Sequence, residues 1–302
     1  MKNIGIIILS LAILVMLPTA AMAETEIGGN LRIRFNTSEA DDSTTFEFDR
    51  LALKFSSALS DINGFKSEVQ FRKPAKNNTS DGDIRVDNAY YYQKNIFTTD
   101  ELNIGHIPIT WHADKSITIL GSLGSDLKPG NSVGIKYIFK GDNFSITGNV
   151  LNADNEKKRN ANTTGYDLGA RGEFSPMDGL TIGTGICNNV INADNDTSTL
   201  GIVVDGLYSL GALGLYGEFV SMKATVSDES ENAENGFYIE GNYTLTDKFT
   251  AYAGISIAED LIDDRTVIGG KYQLAPGTAL QGEFVDREEG DWDFNLRLRL
   301  DF

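Results

Sequence analysis

Apolar and polar residues alternate along most of the chain, and the C-terminal segment shows the pattern most clearly. From Phe294 to Phe302 every even-numbered residue is large and apolar, and every odd-numbered residue is polar or charged. A period of two residues predicts a β-strand with one apolar and one charged face. Because a strand at the end of a chain leaves an unpaired edge, this segment is expected to pair with another strand.

Segments of about ten residues with this alternation recur up to the C-terminus, and helical periodicity is almost absent. Such segments, separated by turns, are typical of a transmembrane β-barrel, whose tilted strands cross the bilayer. The best-fitting number of strands is sixteen, and the alternatives are 14 and 18. The predicted strands are 27–36, 45–59, 64–72, 84–94, 100–110, 132–140, 143–152, 164–174, 179–189, 199–209, 212–222, 236–245, 248–258, 265–274, 278–287 and 291–302.

The connections alternate in length. Seven short turns, such as 141–142 and 246–247, alternate with eight connections that are mostly longer and more polar. This order predicts both termini on one side, with short periplasmic turns there and long extracellular loops opposite. Because a sixteen-stranded interior is too wide for side chains to fill, the apolar faces should meet lipid and the charged faces should line a water-filled lumen. The predicted fold is therefore all-β: a closed antiparallel transmembrane β-barrel.

The N-terminus carries the features of a secretory signal peptide. Lys2 precedes an uncharged apolar run over residues 4–17, and Ala21-Met22-Ala23 fits a cleavage site. We expect residues 1–23 to be removed and residues 24–302 to form a single barrel domain; the alternative is an uncleaved anchor. The net charge of −17 argues against nucleic-acid binding. The single cysteine, Cys187, permits no intramolecular disulfide.

Inward-facing charges are unevenly distributed. Strands 16, 1, 2 and 3 become neighbours once the last strand pairs with the first, and their charged faces carry a predicted pore-lining basic wall: Arg32, Arg34, Arg50, Lys54, Lys66, Arg72, Arg297 and Arg299. Acidic residues are expected opposite, at Glu218, Glu240 and Glu283. Opposed charges across a wet gap create a transverse field that biases ion selectivity. The alternative is that these charges pair and stiffen the barrel. The sign of selectivity stays open, because the outer loops are acidic.

The third long connection, Trp111–Asn131, is unusually apolar for an exposed loop. We expect this third loop to fold inward, pack on the barrel wall and narrow the pore. Its charged residues, Asp114, Lys115 and Asp126, would then lie at the constriction. The alternative is an ordinary loop packed at the rim or against another subunit.

Four features of the chain occur together: the signal peptide, Phe48–Phe55, Leu102–Pro108 and the terminal Phe302. On these features the chain resembles Gram-negative outer-membrane porins of the general diffusion and phosphate-type groups. It implies a sixteen-stranded homotrimer whose third loop enters the pore, and a terminal aromatic residue that the outer-membrane assembly machinery reads.

Catalytic signals are weak, since the only histidines, His106 and His112, lie in no motif, and no nucleophile elbow is present. No cofactor or metal site is expected. Whether the acidic loops bind divalent cations stays open, although they lack calcium-loop spacing. The favoured function is a passive outer-membrane porin for small hydrophilic solutes and ions, in contact with lipid and lipopolysaccharide. A phosphate-type selective channel is the main alternative, and a barrel enzyme or surface adhesin is a third.

Overall fold

The computed structural model describes residues 25–39, 43–72, 83–112, 115–118, 121, 131–152, 166–188, 197–226, 229–230, 234–258, 264–287 and 291–302. Within these ranges sixteen strands of nine or more residues form one antiparallel sheet. The strands are β1 Thr25–Ser38, β2 Ser43–Ser60, β3 Asn63–Arg72, β4 Asp83–Lys94, β5 Asp100–Pro108, β6 Asn131–Lys140, β7 Phe144–Asn152, β8 Tyr166–Met177, β9 Leu180–Asn188, β10 Thr197–Leu210, β11 Leu213–Val226, β12 Glu234–Thr246, β13 Phe249–Ala258, β14 Arg265–Ala275, β15 Thr278–Arg287 and β16 Trp292–Asp301. A two-residue segment, Glu229–Ser230, pairs with the end of β11.

The sheet closes by pairing β16 with β1. The pairs run from Asn30 opposite Asp301 to Ser38 opposite Asp293, and every other strand pairs with its neighbours in sequence. The predicted count of sixteen strands and the pairing of the last strand with the first are confirmed. No helix within the described ranges is long and apolar enough to cross a membrane.

The tight turns, the start of β1 and the end of β16 all lie at one end of the barrel. The seven connections at that end span only two to five residues, for example 211–212 between β10 and β11. This arrangement confirms the predicted alternation of connection lengths. The predicted signal peptide, residues 1–23, and most of the long connections lie outside the described residues.

The two faces of the sheet differ as the alternation predicted. On β12, Ile239 is 62% exposed on the outer face, whereas its neighbour Glu240 is 1% exposed on the inner face. Alternation is less regular in the sequences of β4 and β5, but these strands follow the same rule: Tyr92 is buried inside and Ile104 is exposed outside. The outer surface is therefore an apolar belt suited to lipid.

The terminal residue extends the seam between β16 and β1. Gly29 donates its N–H to the carbonyl of Phe302 at 2.7 Å, and Phe302 donates back to the carbonyl of Gly29 at 3.1 Å. A side chain at position 29 would overlap the carbonyl oxygen of Ala52 and the ring of Phe302. A glycine is needed at this point so that the terminal ring can lie against the first strand.

Replacing Gly29 with Val should therefore weaken closure of the barrel. Overpacking of this kind costs about 1–3 kcal/mol, so a smaller fraction of refolded protein should stay compact in unheated detergent gels. Gly148→Val is the matched control, because nothing lies near its missing side chain on the outer face of β7. Equal compact fractions for the two variants would contradict the prediction.

Candidate permeation site

Two rows of arginine cross the inner face where the barrel closes. Backbone pairing places β16, β1, β2 and β3 in register so that one row contains Arg299, Arg32, Arg50 and Arg72. In the adjacent row Arg297 lies directly opposite Arg34. Like charges placed directly opposite each other weaken a sheet. The concentration of positive charge is thus costly to the fold and marks this inner surface as a candidate site.

The residues predicted for the basic wall lie on these neighbouring strands, although the side chain of Arg72 is outside the described part. Arg50 donates to Asn30 Oδ1 at 3.2 Å, and Arg297 donates to Gln281 Oε1 at 2.6 Å. Both acceptors are neutral amides, so these contacts leave the charges uncompensated.

Two ion pairs and two cation–π contacts lie further along the same wall. Lys54 lies 3.9 Å from a carboxylate oxygen of Glu68, and the side chain of Arg299 donates to Asp301 at 2.9 Å. Lys66 sits nearer the turn end, with its Nζ 5.2 Å from the centre of the Tyr92 ring. Lys94 approaches the same ring at 5.4 Å and extends the wall beyond the predicted residues.

A β-bulge adds one carboxylate to the arginine rows. Arg32 pairs with Arg50 and the next residue, Ile33, pairs with Phe48, so Asp49 has no opposite residue. Its Oδ1 lies 3.5 Å from Arg34 Nη2. Strict alternation along β2 did not identify Asp49 as an inward residue. The signal was a change of phase, because the large apolar residues of β2 fall on even positions up to Phe48 and on odd positions from 51 onward.

The beginning of the third loop lies inside the barrel. Ile107, Ile109 and Trp111 are buried in one apolar cluster with inward-facing residues such as Val203 on β10 and Val220 on β11. On β9, a side chain at Gly185 would overlap the carbonyl of Trp111. The chain therefore crosses the lumen and packs on the wall opposite β1.

A buried carboxylate anchors the next part of this loop. Glu240 on β12 accepts a hydrogen bond from Ser116 Oγ at 2.6 Å and from the backbone N–H of Ile117 at 3.1 Å. The carbonyl of Ile117 in turn accepts from Gln281 Nε2 on β15 at 2.7 Å. Gln281 also accepts from Arg297, so a single amide joins the third loop to the basic wall.

Lys115 forms an ion pair instead of facing the pore unpaired. Its Nζ lies 3.0 Å from Glu173 Oε1 on β8, and Arg171 approaches the same oxygen at 3.1 Å. Arg171 also holds Asp205 on β10 through two hydrogen bonds of 2.6 and 2.8 Å. Of the three charged residues predicted for the constriction, Asp114 and Asp126 lie outside the described residues.

The carboxylates expected to oppose the basic wall are placed differently from the prediction. Glu218, Glu240 and Glu283 do point inward, but all three are buried. Each accepts a hydrogen bond from a tyrosine hydroxyl: Tyr216, Tyr238 and Tyr252, respectively. The expectation that they supply exposed charge across the gap was wrong, because alternation predicts the face of a side chain and not the loop that covers it.

The described residues offer no obvious site for other chemistry. No group of three or more His, Cys, Asp or Glu side chains among them is arranged to hold a metal ion. Cys187 is buried in the apolar cluster beside the third loop. Its position matches a packing role.

Comparison with known proteins identifies the architecture. A family model described as Gram-negative porin matches residues 10–291. No functionally curated protein matches the sequence. Among solved structures, the in-vitro folded OmpT of Vibrio cholerae in its trimer form has a TM-score of 0.68 at 16% identity, covering 93% of this chain and 99% of its own. A mutant of Rh. blastica porin has a TM-score of 0.69 at 13% identity, covering 92% and 100%.

OmpF of Salmonella typhi, in complex with daunomycin, has a TM-score of 0.72 at 11% identity over 93% of this chain and 98% of its own. These identities are low, and the structural likeness establishes the shared barrel. The family model covers most of the sequence, and its description agrees with the lipid-facing belt and the charged lumen. The chain belongs to the Gram-negative porin family and forms a diffusion channel in the outer membrane.

Proposed function

We propose that small solutes cross this porin between the basic wall and the inward-folded third loop, and that the channel prefers anions. The observation that carries the proposal is that the third loop packs against one side of the lumen and leaves the basic wall on the other side uncovered. The loop packs against β8 to β15 through Lys115, Ser116, Ile117 and Gly121, whereas Lys54 and Lys66 on β2 and β3 stay exposed. The open part of the interior is therefore bordered by positive charge.

The sign of selectivity follows from which charges reach water. Basic side chains at a wet surface raise the local concentration of anions. The acids that would oppose this effect, Glu218, Glu240 and Glu283, are buried and hydrogen-bonded to tyrosines. Asp114 and Asp126 remain predicted constriction residues, and their contribution would reduce the preference.

The wider assembly is also a proposal. A structurally similar porin, OmpT, has a trimer form, and we propose a homotrimer for this chain. Export through a cleaved signal peptide at residues 1–23 and recognition of Phe302 by the outer-membrane assembly machinery complete the route to the membrane. The acidic outer loops would face lipopolysaccharide. The channel is passive, with no catalytic role, no cofactor and no binding of nucleic acid.

Replacing Arg32 and Arg34 with Ala should move the reversal potential in a salt gradient towards cation selectivity. Removing a unit positive charge that acts across about 4 Å of water raises an anion's energy and lowers a cation's energy by roughly 1 kcal/mol each. The anion-to-cation permeability ratio should therefore fall about thirtyfold per residue. Planar-bilayer recordings in a salt gradient measure the reversal potential, from which the permeability ratio is calculated. Lys248→Ala, in the turn between β12 and β13, is the control. An unchanged ratio would remove both arginines from the permeation path.

Replacing Glu240 with Ala should loosen the third loop. Hydrogen bonds to a charged group contribute about 1.5–3 kcal/mol each, and this carboxylate holds Ser116 and Ile117. Single-channel currents should then show a wider spread of conductance and more frequent brief closures. Glu101→Ala, on β5 and only partly buried, is the matched control. If the Glu240→Ala variant showed the same spread of conductance and the same closures as the wild-type channel, other contacts would be the ones that hold the loop.

A further inference from the structure

The bulge on β2 places a carboxylate at the centre of the arginine rows. Asp49 is the residue that the bulge adds between Phe48 and Arg50, so it sits between the row of Arg32 and the row of Arg34. Its side chain is 23% exposed, which puts it at the water-facing surface of the wall. A regular strand would have turned this residue towards lipid, where a charge is expensive.

The contact between Asp49 and Arg34 is long for an ion pair. The N–O distance of 3.5 Å exceeds the roughly 2.7–2.9 Å of a charge-assisted hydrogen bond. The carboxylate therefore attracts the surrounding guanidinium groups without saturating any of their donors. Glu47, one residue pair further along, lies opposite Arg34 and is the other acid of this surface on β2.

Several guanidinium donors of the cluster are buried and have no hydrogen-bond partner within the described part of the chain. They are the Nε atoms of Arg32, Arg34, Arg50 and Arg297. The partners of Arg50 and Arg297 are the amide oxygens of Asn30 and Gln281, which carry no charge. Guanidinium groups match the geometry of oxyanions, which can accept several donors at once. The unpartnered Nε atoms leave the positive charge of the cluster uncompensated, and an anion in the lumen would meet the partly exposed parts of these side chains.

We propose that this arginine cluster is a binding site for doubly charged oxyanions and that Asp49 sets its affinity. The carboxylate of Asp49 offsets part of the positive charge of the cluster. An entering oxyanion therefore binds weakly enough to leave again. Conduction requires such a balance between entry and release. The inference deepens the proposed anion preference and rests on it.

The test uses Asp49→Asn, which keeps the size of the side chain and the bulge while removing the charge. Purified channels are recorded in potassium chloride while sulfate is added, and block of the chloride current is measured. The variant should bind sulfate about tenfold more tightly than wild type, the equivalent of roughly 1.4 kcal/mol. The added substitution Arg297→Gln should return the half-blocking concentration towards the wild-type value.

Glu68→Gln is the matched control, because it removes another inward carboxylate, 3.9 Å from Lys54 on the neighbouring strand. It should shift sulfate block far less than Asp49→Asn does. Equal shifts in both variants would mean that only overall lumen charge matters and would overturn the site. Unchanged sulfate block in Asp49→Asn would do the same.

Failure of this inference can be told apart from failure of the proposed function. If the wild-type protein forms channels that prefer chloride over potassium but Asp49→Asn leaves sulfate block unchanged, only the role of Asp49 falls. If the wild-type channels show no anion preference in a chloride gradient, the proposed selectivity falls and the inference falls with it. Acetate, a singly charged oxyanion, serves as the comparison anion and should show little change in block.

Discussion

Backbone hydrogen bonding in lipid is the constraint on which the rest of this structure depends. A strand edge exposed to hydrocarbon is not tolerated, so the sheet must close. In this chain closure is the pairing of β16 with β1. That pairing also brings Arg297 and Arg299 beside Arg34 and Arg32, residues from opposite ends of the sequence. The positive charge on this side of the lumen therefore results from the same strand pairing that closes the barrel in the membrane.

A second constraint is the width that sixteen strands impose. Side chains cannot fill such an interior, and part of the chain has to enter it. Here the first part of the third loop brings Trp111 and the preceding isoleucines into a dry cluster against β10 and β11. Buried carboxylates such as Glu240 then supply hydrogen bonds to the loop backbone. One half of the lumen behaves as a protein core, and the other half keeps its water and its charge.

The sequence predicted the architecture well because alternation and loop length are local signals. All sixteen strands, the faces of most of them and the closing pair could be read from them. The site was predicted in part: the arginines of β16, β1 and β2 fall on one wall because their strands are neighbours. Three features were missed. The roles of Glu218, Glu240 and Glu283 depend on a loop that packs over them, and Asp49 depends on a register shift.

The partner of Lys115 is the third such feature, since Glu173 lies 58 positions away on another strand. Distant pairings of this kind leave no trace in the periodicity of either segment. By contrast, the phase change in β2 was visible as a shift of apolar residues from even to odd positions. Bulges are therefore the one departure from regular strands that a single sequence can reveal, if the phase is followed residue by residue.

The pair of backbone hydrogen bonds between Gly29 and Phe302 has a consequence for the order of folding. The first strand, β1, has β16 as its second partner, and contacts across the seam join distant positions such as Asn36 and Asn295, which are 259 residues apart. Closing so long a loop carries a large entropic cost before any contact rewards it. Until then β1 keeps one open edge. The period before this pairing forms is therefore the one in which the unpaired edge of β1 exposes the chain to aggregation.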